Sequence, residues 1–398
     1  MSGRIKALVE PAMLVWARET ASLSQEELAE GIGVAVERVQ AWESDEDKPS
    51  IAQLRKIAKK CKRPLSVFYL PEPPQGFQAL RDFRRLAAAR AGRFSSELAY
   101  EVRAAHERRL VALEVLETLG EQPDALGLTA GVNDNAEVIG MRIRERLGIT
   151  LARQSRWGDT SKAFRAWRDA IEGAGVLVSV IGGAHHQIDI EEMRGFAIAD
   201  QPLPMIVVNG KDRSGGRIFT LLHELGHIIL GQSVIENTVE PGDTLPAPVR
   251  AMERFCNQVA AASLMPRDDL LAEAVVRAKT PLRSLWSDEE IESLARRYGV
   301  SREALLVRLV ELRQVTNAFY QGKRAEYARQ REEEIEEAPS GFAPYRQQVL
   351  GYIGRGFARL VLQGYHNNQL TLSAVSGYLG VQAKYVPPIE RLAFGVPA

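Results

Sequence analysis

The 398-residue chain is poor in cysteine: it has two, Cys61 and Cys256, far apart and in no CxxC pair. That scarcity excludes a disulfide framework and a cysteine-based zinc finger, and it fits a reducing cytosol. Excess charge is also missing, with Lys plus Arg and Asp plus Glu at 51 each. Overall charge therefore argues neither for nor against nucleic acid, and any basic patch must be local. No apolar run approaches the roughly 20 residues needed to cross a bilayer, so no membrane association is expected. The opening segment MSGRIKALVEPAMLVWARE is broken by charges and Pro11 and does not read as a signal peptide. No internal repeat is found. What remains is a globular composition, 45% hydrophobic and 26% charged, long enough for two or three domains of a cytoplasmic protein.

Residues 1–70 read as short helices. Ser24 with Glu27 three residues later forms a capping-box pattern, with Leu28 and Ala29 facing inward. The glycines of EGIG, Gly31 and Gly33, break that helix. The next runs from about Ala35 to Glu43, with Val36, Val39 and Trp42 inward, and Pro49-Ser50 opens another with Ile51, Leu54, Ile57 and Ala58 inward. Helix, glycine-containing turn, helix, then WE and a further helix is a helix-turn-helix arrangement. LPEPPQG at 70–76 is a connector. Long helix follows from 81 to 125, then a loop, then more helix to about Ala174. GVLVSVIGG and RGFAIADQPLPMIVVNG are β-branched runs bounded by glycine and proline, and they predict three strands of a small sheet. FTLLHELGHIIL, 219–230, is helix; 232–248 reads as loop, 249–264 as helix, and the remainder as mostly helical. KRAEYARQREEEIEEAPSG at 323–341 reads as a solvated helix end and linker.

The 219–230 helix is apolar except for His223, Glu224, Gly226 and His227. Positions i and i+4 lie one above the other, so His223 and His227 can present two imidazoles to one ion, with Glu224 beside them to take a proton from water. The bland alternative is a buried helix with two hydrogen-bonded histidines. Gly226 costs about 1 kcal/mol relative to alanine, which suggests a closely approaching helix. A third ligand must come from Glu236, Glu240, Asp243 or Glu253, because the next histidine is His366. Glu253 is preferred: it opens ERFCNQVAAASLMP, whose face is small, with Asn257 at i+4 and Ala260 and Ala261 beyond. Glu240 is the alternative.

RGFAIADQPLPMIVVNGKDRSGGRIFTLLHELGHIIL followed by ERFCNQVAAASLMP resembles the ImmA/IrrE family of zinc metallopeptidases. The resemblance implies a zincin-like core with His223, His227 and Glu253 as Zn2+ ligands and Glu224 as general base. LRDFRR at 80–85 and SGYLGVQAKYVPPIERL near the C-terminus are similar to other segments of that family. Gln232 departs from it, standing where many relatives have a histidine that is not an essential ligand. The MIVVN strand, through Met205, Val207 and Asn209, is either a substrate-binding strand that adds peptide backbone or an ordinary interior strand. His185 and His186 read as an exposed turn rather than oxyanion donors, and Cys256 as a small buried residue rather than a metal-side thiol.

Residues 13–70 resemble the lambda-repressor/Cro-like XRE domain, notably in LSQEELAEGIGV, VQAWESDEDKPS and LRKIAKKCKRPLSVFY. That resemblance assigns DNA contacts to Gln25, Glu37, Arg38 and Gln40; Lys48, Arg55 and Lys56 are further basic residues able to contact phosphate. Ala35 departs from the usual Ser or Thr and loses an N-cap. The expected fold is α+β and mostly helical: a five-helix helix-turn-helix domain (1–72), connector helices (73–160), a zincin-like domain with a small β-sheet (161–275) and a C-terminal helical region (276–398). The expected function is a DNA-binding zinc metalloendopeptidase that regulates genes by cleaving a helix-turn-helix repressor or antitoxin-like protein, with homodimerisation admitted. The competing expectation is an XRE regulator whose zincin domain senses a ligand or partner and hydrolyses nothing.

Overall fold

Two serines set the frame of the N-terminal helices. Ser24 Oγ accepts from Glu27 N (3.1 Å) while Ser24 N donates to Glu27 Oε2 (2.5 Å), and Ser50 and Gln53 repeat the reciprocal arrangement at the fourth helix. In the computed structural model, which describes residues 6–74, 94–182, 187–236, 246–337 and 344–395, these caps start α2 (Gln25–Ile32) and α4 (Ile51–Lys60). They are joined by α1 (Pro11–Thr20) and α3 (Val36–Glu43). A 3-10 turn at Leu65–Tyr69 takes the place of a fifth α-helix. Helix α2 runs through Gly31 and stops at Gly33, whose φ of 72° is left-handed. Ala35 begins α3 with no side-chain cap, as its identity requires. Leu28, Ala29, Val39, Trp42, Leu54, Ile57 and Phe68 fill the interior.

The chain divides into two compact units, Met1–Glu107 and Arg108–Ala398, with the division inside helix α5 (Ser96–Leu119). The second unit contains α6 (Ala136–Arg146), α7 (Thr160–Glu172), α8 (Ser214–Ile229) and α9 (Ala247–Leu264). After these come α10 (Asp288–Tyr298), α11 (Arg302–Glu311), α12 (Asn317–Glu337), α13 (Tyr345–Ile353) and α14 (Arg355–His366). One core runs from Leu126 to Tyr327, so helices before 161 and after 275 share an interior with the sheet and α8. The whole is α+β and mostly helical.

The sheet has four strands in the order β1-β3-β2-β4: β1 (Leu177–Ile181), β2 (Gly195–Ile198), β3 (Met205–Asn209) and β4 (Val234–Glu236). Strands β1 and β3 are parallel; β2 runs antiparallel to both β3 and β4. β4 lies in a segment expected to be loop. Its three residues are too few for a periodic signal, and pairing with β2 is what makes them a strand. Helix α12 corrects part of an expectation: Tyr327 is buried and Lys323 bonds Asp288 at 2.8 Å, so residues 323–327 are packed rather than solvated. Among the described residues no helix is long and apolar enough to cross a membrane. LRDFRR at 80–85, His185, His186, Glu240 and Asp243 lie outside the described residues.

Candidate metal centre

Helix α8 is buried almost all round, which its apolar residues Ile218, Leu221, Leu222, Leu225, Ile228 and Ile229 explain. It packs on β2 and β3 and against α7 and α9. His223, Glu224 and His227 are all at 0% exposure, and Glu253, from α9, is at 5%. His223 Nε2 and His227 Nε2 stand 2.9 Å apart, and Glu253 Oε2 lies 3.3 Å from the first and 3.8 Å from the second. Two ligands of a tetrahedral ion with bonds near 2.0–2.1 Å sit about 3.3 Å apart. Three donor atoms converging within that range, from two helices, fit a divalent metal.

Asn257 settles which histidine nitrogen points inward. His223 Nδ1 is 2.9 Å from Asn257 Oδ1, an oxygen that can only accept. Nδ1 therefore carries the proton, and Nε2 of the neutral ring keeps its lone pair for the ion. The sequence marks Asn257 only as part of a small helix face. Its i+4 spacing from Glu253 put it on the ligand side, and that was the available signal.

Two glycines make the close approaches possible. A Cβ at Gly226 would meet Cys256 Sγ at 3.2 Å and its Cα at 3.3 Å, so α9 lies directly against α8 where the motif has its glycine. Cys256 is fully buried in that contact and is outside the ligand cluster. On the other side, a Cβ at Gly195 would stand 2.5 Å from Thr220 Cγ2 and 3.0 Å from Glu224 Oε1. Gly195 thus lets β2 lie over the carboxylate, a role not visible in the sequence.

The expected substrate strand is corrected. β3 is hydrogen-bonded to β1 along one edge and β2 along the other, so Met205 and Val207 have no free edge for peptide addition. Asn209 is structural: its Nδ2 donates to Ile188 O (3.1 Å) and Met193 O (2.9 Å), and its Oδ1 accepts from Lys211 N. In the first unit Glu37, Arg38 and Gln40 are exposed on α3. Gln25 is half-buried and donates to Glu43 Oε2 at 2.8 Å, and Glu43 is held by Arg18 at 2.7 Å. Arg38 lies 3.5 Å from Asp47 and over the Trp42 ring. Lys48 and Lys56 donate to the backbone carbonyls of Val9 and Ile32, whereas Arg55 is exposed.

Two imidazoles and a carboxylate converge here, and a further buried carboxylate, Glu224, is next to His223 in the chain. Residues 182–310, which contain all four, match the peptidase M78 family model described as an IrrE N-terminal-like domain. Residues 14–68 match the model described as helix-turn-helix. The chain thus joins a helix-turn-helix segment to an IrrE N-terminal-like segment, with 69–181 and 311–398 outside both matches. No curated protein matches the chain.

Proposed function

We propose that the protein is a cytoplasmic, DNA-binding zinc metalloendopeptidase that regulates genes by cleaving a repressor or antitoxin-like protein. The observation that carries this reading is the convergence of His223 Nε2, His227 Nε2 and Glu253 Oε2 beside Glu224. The donor set is that of a catalytic zinc site with three protein ligands. Zinc bound there would polarise a scissile carbonyl and lower the pKa of a water. His223, His227 and Glu253 hold the ion, and Asn257 keeps His223 in the tautomer that can do so. Glu224 takes a proton from the attacking water and delivers it to the leaving amine, so that the C–N bond breaks as the hydroxyl adds to the carbonyl carbon. The exposed Glu37, Arg38 and Gln40, with Gln25 behind them, would read base edges from α3, and Arg55 would meet phosphate.

One observation favours the second reading, a regulator that binds through this unit without cutting. Glu224 is fully buried, and hydrolysis needs a path by which a peptide reaches it. Glu224→Gln decides between them. That variant should keep zinc and lose cleavage of the cognate partner, together with the regulatory phenotype. A phenotype unchanged in Glu224→Gln would remove the enzymatic reading and leave the sensor.

A further inference from the structure

A second site lies at the opposite end of α8 from the C-terminal histidine. A cavity of about 370 Å³ is lined by Arg165 and Arg168 of α7, by Ser214 and Arg217 of α8, and by Gly182 and Gly210. The two glycines follow β1 and β3, so the cavity opens at the carboxyl ends of two parallel strands, where α/β sheets commonly receive ligands. A Cβ at Gly210 would come within 2.5 Å of Ile181 O, so the floor is bare backbone. The turn from β3 into α8, Gly210 to Arg213, brings the start of a 16-residue helix, with Gly215 and Gly216 in its first turn, to the same space.

The guanidinium groups are unequally compensated, and Arg168 faces Glu172 at 3.9 Å as well as Asp169. Asp169 Oδ1 takes Nε and Nη2 of Arg168, at 3.1 and 2.7 Å. Among the described residues, Arg165 and Arg217 have no ion pair. Arg217 lies over the Phe164 ring and donates from Nη2 to Ser214 Oγ at 2.9 Å, while its Nε is buried with no acceptor. Ser214 Oγ is 3.1 Å from Ser161 Oγ, adding two hydroxyls to the wall. The first turn of α8 has no acidic residue. Asp212 does not line the cavity, but its carboxylate lies against the first turn of α8, where a Cβ at Gly216 would collide with it; it accepts from Arg213 N at 2.8 Å, faces Arg194 at 3.9 Å and partly offsets the charge of Arg217.

We propose that this cavity binds the phosphoryl group of a small ligand, making it an anion site separate from the metal centre. Guanidinium groups from two helices and two hydroxyls around one space suit the three oxygens of a phosphoryl group better than the two of a carboxylate. The volume leaves room for more than the phosphoryl group itself. Arg217 and His223 share α8 and are about 9 Å apart along its axis, so a ligand held here touches the helix that carries the metal ligands.

The test is calorimetric titration of the full chain with inorganic phosphate and with adenosine monophosphate, in chloride buffer at constant ionic strength. One-to-one saturable binding of either probe is expected. Arg165→Glu should weaken it about ten- to hundredfold, the loss of a charge-assisted contact. Arg165 is exposed, so the fold should survive, with an unchanged Tm as the check; Arg217→Gln is the second variant. Equal binding of both probes would mark the phosphoryl group alone as the ligand, and preference for the nucleotide would mark a larger one. Failure of both probes to saturate, or undiminished binding in both variants, would overturn the site. Binding should be the same in Glu224→Gln, which keeps this proposal independent of peptidase activity.

Discussion

The two units hold their candidate functional residues in opposite ways. On α3, Glu37, Arg38 and Gln40 stand in solvent, fixed from below by Val39 and Trp42. On α8, His223, Glu224 and His227 have no solvent exposure, and each neighbour is within a few ångströms. A surface that meets DNA needs side chains able to adapt to base edges. A metal centre needs donors fixed before the ion arrives, since each misplaced ligand costs affinity. Substitutions should therefore act on recognition in the first unit and on both folding and metal affinity in the second.

The contrast is sharpest at Gly195. Gly195→Val places branched carbon where Thr220 and Glu224 already sit, so the unit should lose about 1–3 kcal/mol, or more if β2 cannot shift. Chemical denaturation monitored by circular dichroism measures it, and an unchanged midpoint would show that β2 can move off α8. Next is Asn257→Leu, which removes the acceptor for His223 Nδ1–H. Zinc affinity should fall about ten- to hundredfold by competition with a chelator, and Asn257→Asp, which keeps an acceptor, should recover most of it.

A smaller effect concerns pH. Burial pushes the Glu172 carboxyl up to about 7, against Arg168 and the Gly356 N–H, which pull it down. The folded state therefore binds this proton more tightly than the unfolded chain, whose carboxyl has the ordinary value of 4.5. Its stabilising contribution is complete below 4.5 and is lost as pH rises toward 7. Glu172→Gln should flatten the fall in stability across that window; an identical pH profile in the variant would refute the assignment. The smallest effect is expected at α3. Arg38→Ala should weaken binding to a neighbouring promoter fragment and lower the salt slope by about one if the contact is to phosphate, or relax preference at one base pair if it is to a base.

What the sequence made legible follows from how local each signal is. HELGH carries its geometry within five residues, because helical spacing alone stacks His223 over His227. Glu253 was reachable because the small face of α9 matched Gly226. Asn257 stands at i+4 from Glu253, but its bond to His223 depends on how two helices cross, which spacing does not encode. β4 and the Gly195 contact were illegible for the same reason: each exists only through pairing with distant chain. Within the helix-turn-helix core, α2, α3 and α4 were legible from caps and apolar periodicity, whereas α1 and the turn at Leu65–Tyr69 were not read and α2 runs past Gly31. Met205, Val207 and Asn209 misled because a buried, β-branched strand looks the same whether its edges are taken or free.

The two cysteines give each unit a built-in reporter. Cys61 is buried in the N-terminal unit, where burial raises its thiol to about 12, and Cys256 is buried at the contact of α9 with Gly226. Neither can meet a thiol reagent while its surroundings stay closed, and there is one in each unit. The rate at which each is labelled in the native protein therefore measures how often that unit opens, without any engineered probe. For Cys256 that rate is the frequency with which α8 and α9 part, and so the rate at which the metal ligands lose their common centre.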